Sequence, residues 1–135
     1  MNDYKKISSS LKDIKTPDDI IAGIICQMKE TEISASPLKI HRAFYELKQK
    51  HPDILRPFNF FKGNINHFSK LLERVLFRLE QASLLGTINP TFDYYNIRDD
   101  TKEKFKKMVL FRFSNEEKDE LKTIAKELEK KLRAE

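Results

Sequence analysis

Asn66, His67, Lys70, Arg74 and Gln81 lie in one stretch whose apolar residues, Phe68, Leu71, Leu72, Val75, Leu76 and Leu79, repeat with a helical period. At about 100° per residue, the polar set faces away from the apolar side, together with Glu73 and Phe77. Its chemistry is hydrogen bonding to planar or anionic targets. Asn and Gln match the edge of adenine, Arg and Lys match guanine, and Lys also meets phosphate. A solvated amphipathic helix carries the same pattern, and Glu73 and Phe77 do not suit simple groove docking. An outward Phe points instead to a packed neighbour or a protein interface. Lys102, Lys104, Lys106 and Lys107 form a second set of phosphate-type cations, although a charge run on a helix is the ordinary make-up of a solvated face.

Other chemistries find no support. His41, His51 and His67 have no metal-ligand spacing and no Cys beside them. The single Cys26 sits next to Ile25 on a helical apolar face, where a buried, inert thiol is expected. There is no Gly-rich phosphate loop, no nucleophile elbow and no carboxylate pair in a cleft-like context. The expectation is a non-enzymatic protein with no metal site and no cofactor.

The elements that must position these residues can be read from caps and periodicity. Tyr4, Ile7, Leu11 and Ile14 are spaced three, four and three apart, which suggests a short helix within residues 1–15. Thr16-Pro17-Asp18-Asp19 opens a helix with a cap, a first-turn proline and two acids suited to the helix dipole. Ile20, Ile21, Ile24, Ile25 and Met28 form its apolar face, and it is expected to end near Glu30. A short strand follows at Thr31-Glu32-Ile33. Ser36-Pro37 then repeats the cap, with a helix running to about Lys50 before His51-Pro52 stops it. The link from 53 to 63 holds Phe58, Phe60 and Phe61, so it must be packed down. The next helix is expected from Asn64 or Asn66 to about Ala82. A hairpin of 84–88 and 94–97 follows, around the turn residues 89–93. A basic helix starts near Asp100. Ser114-Asn115-Glu116-Glu117 is a capping box for the last helix. There Leu121, Ala125, Leu128 and Leu132 are spaced four, three and four apart, a coiled-coil-like seam that suggests pairing of two copies.

The order helix, strand, helix, link, helix, strand, turn, strand is that of a winged helix. The densest signal is Leu71-Leu72, Val75-Leu76, Leu79-Glu80-Gln81-Ala82 and Leu84-Leu85, followed by the hairpin ending Tyr94-Tyr95-Asn96-Ile97. It resembles the third helix and wing of winged-helix regulators. Ser36 to Tyr45, with the Phe-rich link and Gly63 after it, resembles Panacea-type antitoxin domains and related winged-helix proteins, with Gly63-Asn64 in place of their Gly-Pro. The first resemblance implies double-stranded DNA as ligand, and the second implies a protein partner. The expected fold is mainly α with a small β-hairpin: a winged-helix-like core over 16–98, an N-terminal segment 1–15, and C-terminal helices over 99–135 serving a homodimer.

Charge and composition bound the reading. The chain has 135 residues, 26 Lys plus Arg against 21 Asp plus Glu, and a net charge of +5. By segment, residues 31–63 carry +3, 64–98 only +1, and 99–113 carry +2. The positive charge is therefore spread out, with no basic tail. The longest apolar run, Ile20 to Cys26, falls far short of the roughly 20 residues of a membrane span, so a cytoplasmic protein is expected. Two functions follow as expectations. One is a DNA-binding regulator using Asn66, His67, Lys70, Arg74, Lys102, Lys106 and Lys107. The other is a protein-interaction module using Phe77 and the seam Leu121, Ala125, Leu128 and Leu132.

Overall fold

The computed structural model describes residues 15–63, 67–86 and 93–133, so the expected helix before residue 15 lies outside the described residues. Helix α1, Pro17–Cys26, begins in a reciprocal cap. The Thr16 hydroxyl accepts from the Asp19 N–H and the Asp19 carboxylate accepts from the Thr16 N–H, both at 3.1 Å. The helix stops earlier than expected, at Cys26, although Met28 beyond it is still buried. Every residue from Ile20 to Cys26 is buried, so α1 has no solvent face and must be enclosed.

The enclosing elements come from the whole chain. Strand β1, Glu32–Ser34, leads to α2, Pro37–Lys50, which is capped by the Ser36 hydroxyl accepting from the Lys39 N–H. The link after α2 is packed down as its aromatics require: Ile54, Leu55 and Phe58 are buried, and the Lys48 ammonium donates to the Phe58 carbonyl at 2.7 Å. Strands β2, Phe61–Lys62, and β3, His67–Phe68, then form a small antiparallel hairpin. Helix α3 covers Lys70–Gln81, β4 covers Tyr94–Asn96, and α4 covers Asp99–Met108. A 3-10 turn at Leu110–Arg112 leads into α5, Asn115–Lys131, which starts in the capping box read from Ser114 and Glu117.

β4 pairs antiparallel with β1, with Ile33 opposite Tyr95. Gly86 bridges to Asn96 on the far side of β4, and Arg133 bridges to Ile33 on the far side of β1. The expected 84–88 strand is therefore represented by Gly86, and residues 87–92 lie outside the described residues. The chain turns out of α3 at Ser83, whose φ of 60° is left-handed, and the N–H groups of Leu84 and Leu85 both reach the Leu79 carbonyl. That geometry carries the chain from α3 into the sheet.

Helix α5 is a core element. Leu121, Ile124, Ala125, Leu128 and Leu132 are at most 2% exposed and join the same apolar cluster as α1. The two helices come close together at Gly23 of α1, where a Cβ would stand 3.0 Å from Leu121 Cδ1 and 3.3 Å from the Phe113 ring. This corrects the expected dimer seam: the 4-3-4 spacing of Leu121, Ala125, Leu128 and Leu132 reports burial against α1 and its neighbours, so these side chains have no surface to offer a second copy. No helix among the described residues is long and apolar enough to cross a membrane. Gly23→Val is expected to force α1 and α5 apart and destabilise the fold by about 1–3 kcal/mol, read as a lower midpoint in urea unfolding.

Candidate nucleic-acid interface

Helix α3 is held at both ends. At its start, Ser69 is fully buried; its hydroxyl accepts from the Leu72 N–H at 3.2 Å, and its own N–H donates to His41 Nδ1 at 2.9 Å. His41 is 7% exposed and lies on α2, so one hydrogen bond ties α2 to the cap of α3. At the other end, Arg78 forks onto Asp18 of α1 through Nε at 2.9 Å and Nη2 at 2.6 Å. Leu72, Val75 and Leu79 point into the core.

On the side of α3 away from the core, Lys70, Arg74, Phe77 and Gln81 are exposed and fall four, three and four residues apart, in one stripe. Among the described residues, Lys70 and Arg74 have no ion-pair partner. Glu73 flanks the stripe on the side of His41.

Next to the stripe, α2 and α3 stand apart and leave an open groove of about 470 Å³. Ile40, His41 and Tyr95 are buried at its base, whereas Pro37, Arg74 and Phe77 are exposed at its margin. The Tyr95 hydroxyl is buried and donates to Glu80, which together push its pKa up, so it stays a donor across the physiological range. Phe77 is 56% exposed, so no packed neighbour covers it.

The other expected site residues are dispersed. Asn66 lies outside the described residues. His67 precedes α3: the helix begins at Lys70 because 67–68 pair with 61–62 and Ser69 takes the cap. Its ring is stacked on Tyr45 at 3.9 Å and 4°, so it is packed against α2 and does not belong to the α3 stripe. Lys102 is 6% exposed and its ammonium donates to the Glu30 carbonyl at 2.7 Å. This corrects its reading as a phosphate contact: it closes the chain around the end of α1. Lys106 reaches Glu103 at 3.5 Å, while Lys104 and Lys107 are exposed. Cys26 is 1% exposed and bonded to the Gly23 carbonyl, and burial pushes its thiol up to about 11, so it is protonated and unreactive at neutral pH. Among the described residues there is no group of three His, Cys, Asp or Glu placed to hold a metal ion.

Sequence reasoning missed a charge pattern around the hairpin. No acidic residue occurs from Ile54 to Leu72, and residues 47–72 hold Lys48, Lys50, Arg56, Lys62 and Lys70 against Asp53 alone, a net +4. Counting in segments divided after residue 63 hides this run. Lys50 pairs with Glu127 and Arg56 with Asp53, which leaves Lys62 in β2 and Lys70 at the start of α3 exposed without an ion pair among the described residues. Comparison with protein-family models, characterised proteins and solved structures gives no match for this chain.

Burial lowers the His41 pKa below its ordinary value of 6.5, against the opposing pull of Glu73. The unfolded chain therefore binds that proton more readily. The stability contributed here is complete above about pH 6.5 and is lost as pH falls. His41→Ala is expected to cost about 1–3 kcal/mol by leaving the buried Ser69 N–H without an acceptor, and to flatten the fall of Tm below that pH. Thermal melts over roughly pH 5 to 8, the span in which a histidine titrates, check both.

Proposed function

We propose that the chain is a winged-helix DNA-binding protein that regulates transcription, with α3 as the helix that reads the duplex. The element order α1, β1, α2, β2, β3, α3, β4 and the pairing of β4 with β1 support this fold reading, with the β2–β3 hairpin standing where a short turn joins the two helices of a helix-turn-helix. The observation that carries the function is the stripe Lys70, Arg74, Phe77 and Gln81 on a helix pinned at both ends, with its two cations free of ion pairs among the described residues. Arg74 and Gln81 suit base edges, and Lys70 suits phosphate. A recognition helix has to be rigid, and the His41–Ser69 bond and the Arg78–Asp18 fork supply that rigidity.

This reading expects duplex affinity to fall steeply with salt, by a slope of about −0.9 per neutralised phosphate. Lys70→Glu and Arg74→Glu should each weaken binding about tenfold or more while leaving Tm unchanged. Fluorescence anisotropy on a labelled duplex measures both. Loss of any salt-sensitive binding in the unmodified chain at about 50 mM salt would remove the proposal.

A second reading, a protein-interaction module of the same fold, is favoured by the groove between α2 and α3 with Phe77 exposed at its margin. Since the α5 seam is buried, a homodimer has to use another surface, and Phe77 is the apolar side chain of α3 available for it. Phe77→Asp should then abolish the dimer in sedimentation velocity without lowering Tm. A dimer that persists unchanged retires this use of Phe77.

A further inference from the structure

We propose that the groove between α2 and α3 binds a small amino-substituted nitrogen heterocycle of the adenine type, whose ring nitrogen accepts from His41 and whose amino group donates to Glu73. The site is separate from the duplex contact and holds whether or not α3 meets DNA.

The donor comes from the cap of α3. Because His41 Nδ1 accepts the Ser69 N–H at 2.9 Å, the ring carries its proton on Nε2. That Nε2–H has no partner among the described residues, and it is not sealed in as the Nε2 of His51 is. His41 is 7% exposed and lines the groove, so a fixed, unmet donor stands at its base. A donor set this deep gains from an acceptor on a ligand that reaches it. The opening, about 470 Å³, lies within the span of about 300 to about 1,000 Å³ that small-molecule sites occupy.

Charge selects the rest of the ligand. Glu73 has no ion-pair partner among the described residues and lies close enough to His41 to act on its charge. Glu80 lines the groove as well and accepts from the Tyr95 hydroxyl. Of the two cations along the groove, Arg78 is neutralised by Asp18, which leaves Arg74 against two carboxylates. The balance disfavours a ligand acid and favours a group that donates to a carboxylate. The ligand therefore needs an acceptor for His41 next to a donor for Glu73. A ring nitrogen beside an amino-bearing carbon supplies both within one rigid edge, and Ile40, Leu76 and Phe77 give its ring apolar walls. Glu73 gains a role by this reading, whereas a phosphate contact would be repelled by it.

A pair of probes separates the two contacts. Both 9-methyladenine and 9-methylpurine carry ring nitrogens, and only the first carries the amino group. In NMR titrations of the full chain, 9-methyladenine should give saturable shifts at His41, Glu73 and Phe77, and 9-methylpurine should bind about tenfold more weakly. Glu73→Ala alters an exposed side chain and should erase that preference at unchanged Tm. His41→Asn keeps an acceptor for the Ser69 N–H but lacks the Nε2 donor, so it should weaken both probes by a similar factor. Should His41→Asn fail to fold, Glu73→Ala with the two probes decides alone. Absence of saturable shifts, equal binding of the two probes by the unmodified chain, or a preference that survives Glu73→Ala overturns the site. Groove resonances that respond to protein concentration and to neither probe would put a second copy in the groove, and would overturn it too. Loss of duplex binding alone leaves the site standing, and loss of the adenine preference alone leaves the duplex reading standing.

Discussion

A helix with no solvent face dictates the rest of this fold. The Ile20–Cys26 run of α1 is buried on every side, and ten residues of helix cannot be stable in water in that state. The chain meets the requirement by wrapping around it: α3 and α4 pack against it, α5 closes on Gly23, and Ile33 of β1, Tyr95 of β4 and Ile97 just after β4 join the same apolar cluster. The C-terminal helices therefore complete the core of the N-terminal half. Lys102 follows from the same constraint. Its stem is buried and its ammonium satisfies the Glu30 carbonyl just past α1.

Enclosure of α1 also settles which surfaces remain for function. Its first-turn acids are spent on the fold: Asp18 holds Arg78, and Asp19 caps its own helix while pairing with Arg112 at 3.0 Å. These contacts neutralise cations that a sequence count credits to the surface. The cations left exposed without an ion pair at the start of α3 and on the preceding hairpin are Lys62, Lys70 and Arg74. A net charge of +5 is modest, yet its local use is uneven, because the stretch from Ile54 to Leu72 contains no acid. Local imbalance of this kind, more than total charge, is what an anionic partner meets at contact distance, since salt screens the remainder within about 8–10 Å.

The groove beside α3 has a different character. Its base is the buried His41, Ile40 and Tyr95, and its margin carries Phe77, so it combines apolar area with fixed polar side chains. The DNA and protein readings thus draw on adjacent sides of one helix. Arg74 belongs to both, as part of the exposed stripe and of the groove margin.

The amino-acid sequence by itself determined the local elements. The caps at Thr16, Ser36 and Ser114 and the stop at His51-Pro52 are chemistry confined to a few neighbouring residues, so α1, α2 and α5 were legible with their starts correct to the residue. The outward stripe of α3 was legible as well, because helical period alone separates Lys70, Arg74, Phe77 and Gln81 from Leu72, Val75 and Leu79. What periodicity reports is that a face is buried, not what buries it, and that is why Leu121, Ala125, Leu128 and Leu132 read as a seam between copies. The start of α3 was misread for a similar reason. His67 and Phe68 fit the helical pattern, but pairing with Phe61 and Lys62 and the His41 bond to Ser69 moved the cap to Ser69. The β1–β4 pairing, the burial of Lys102 and the outward turn of the Phe61 ring were decided by the tertiary structure alone. Each depends on partners tens of residues away or on which face of a two-residue strand finds Tyr45, and no local rule ranks those partners before the core around α1 has closed.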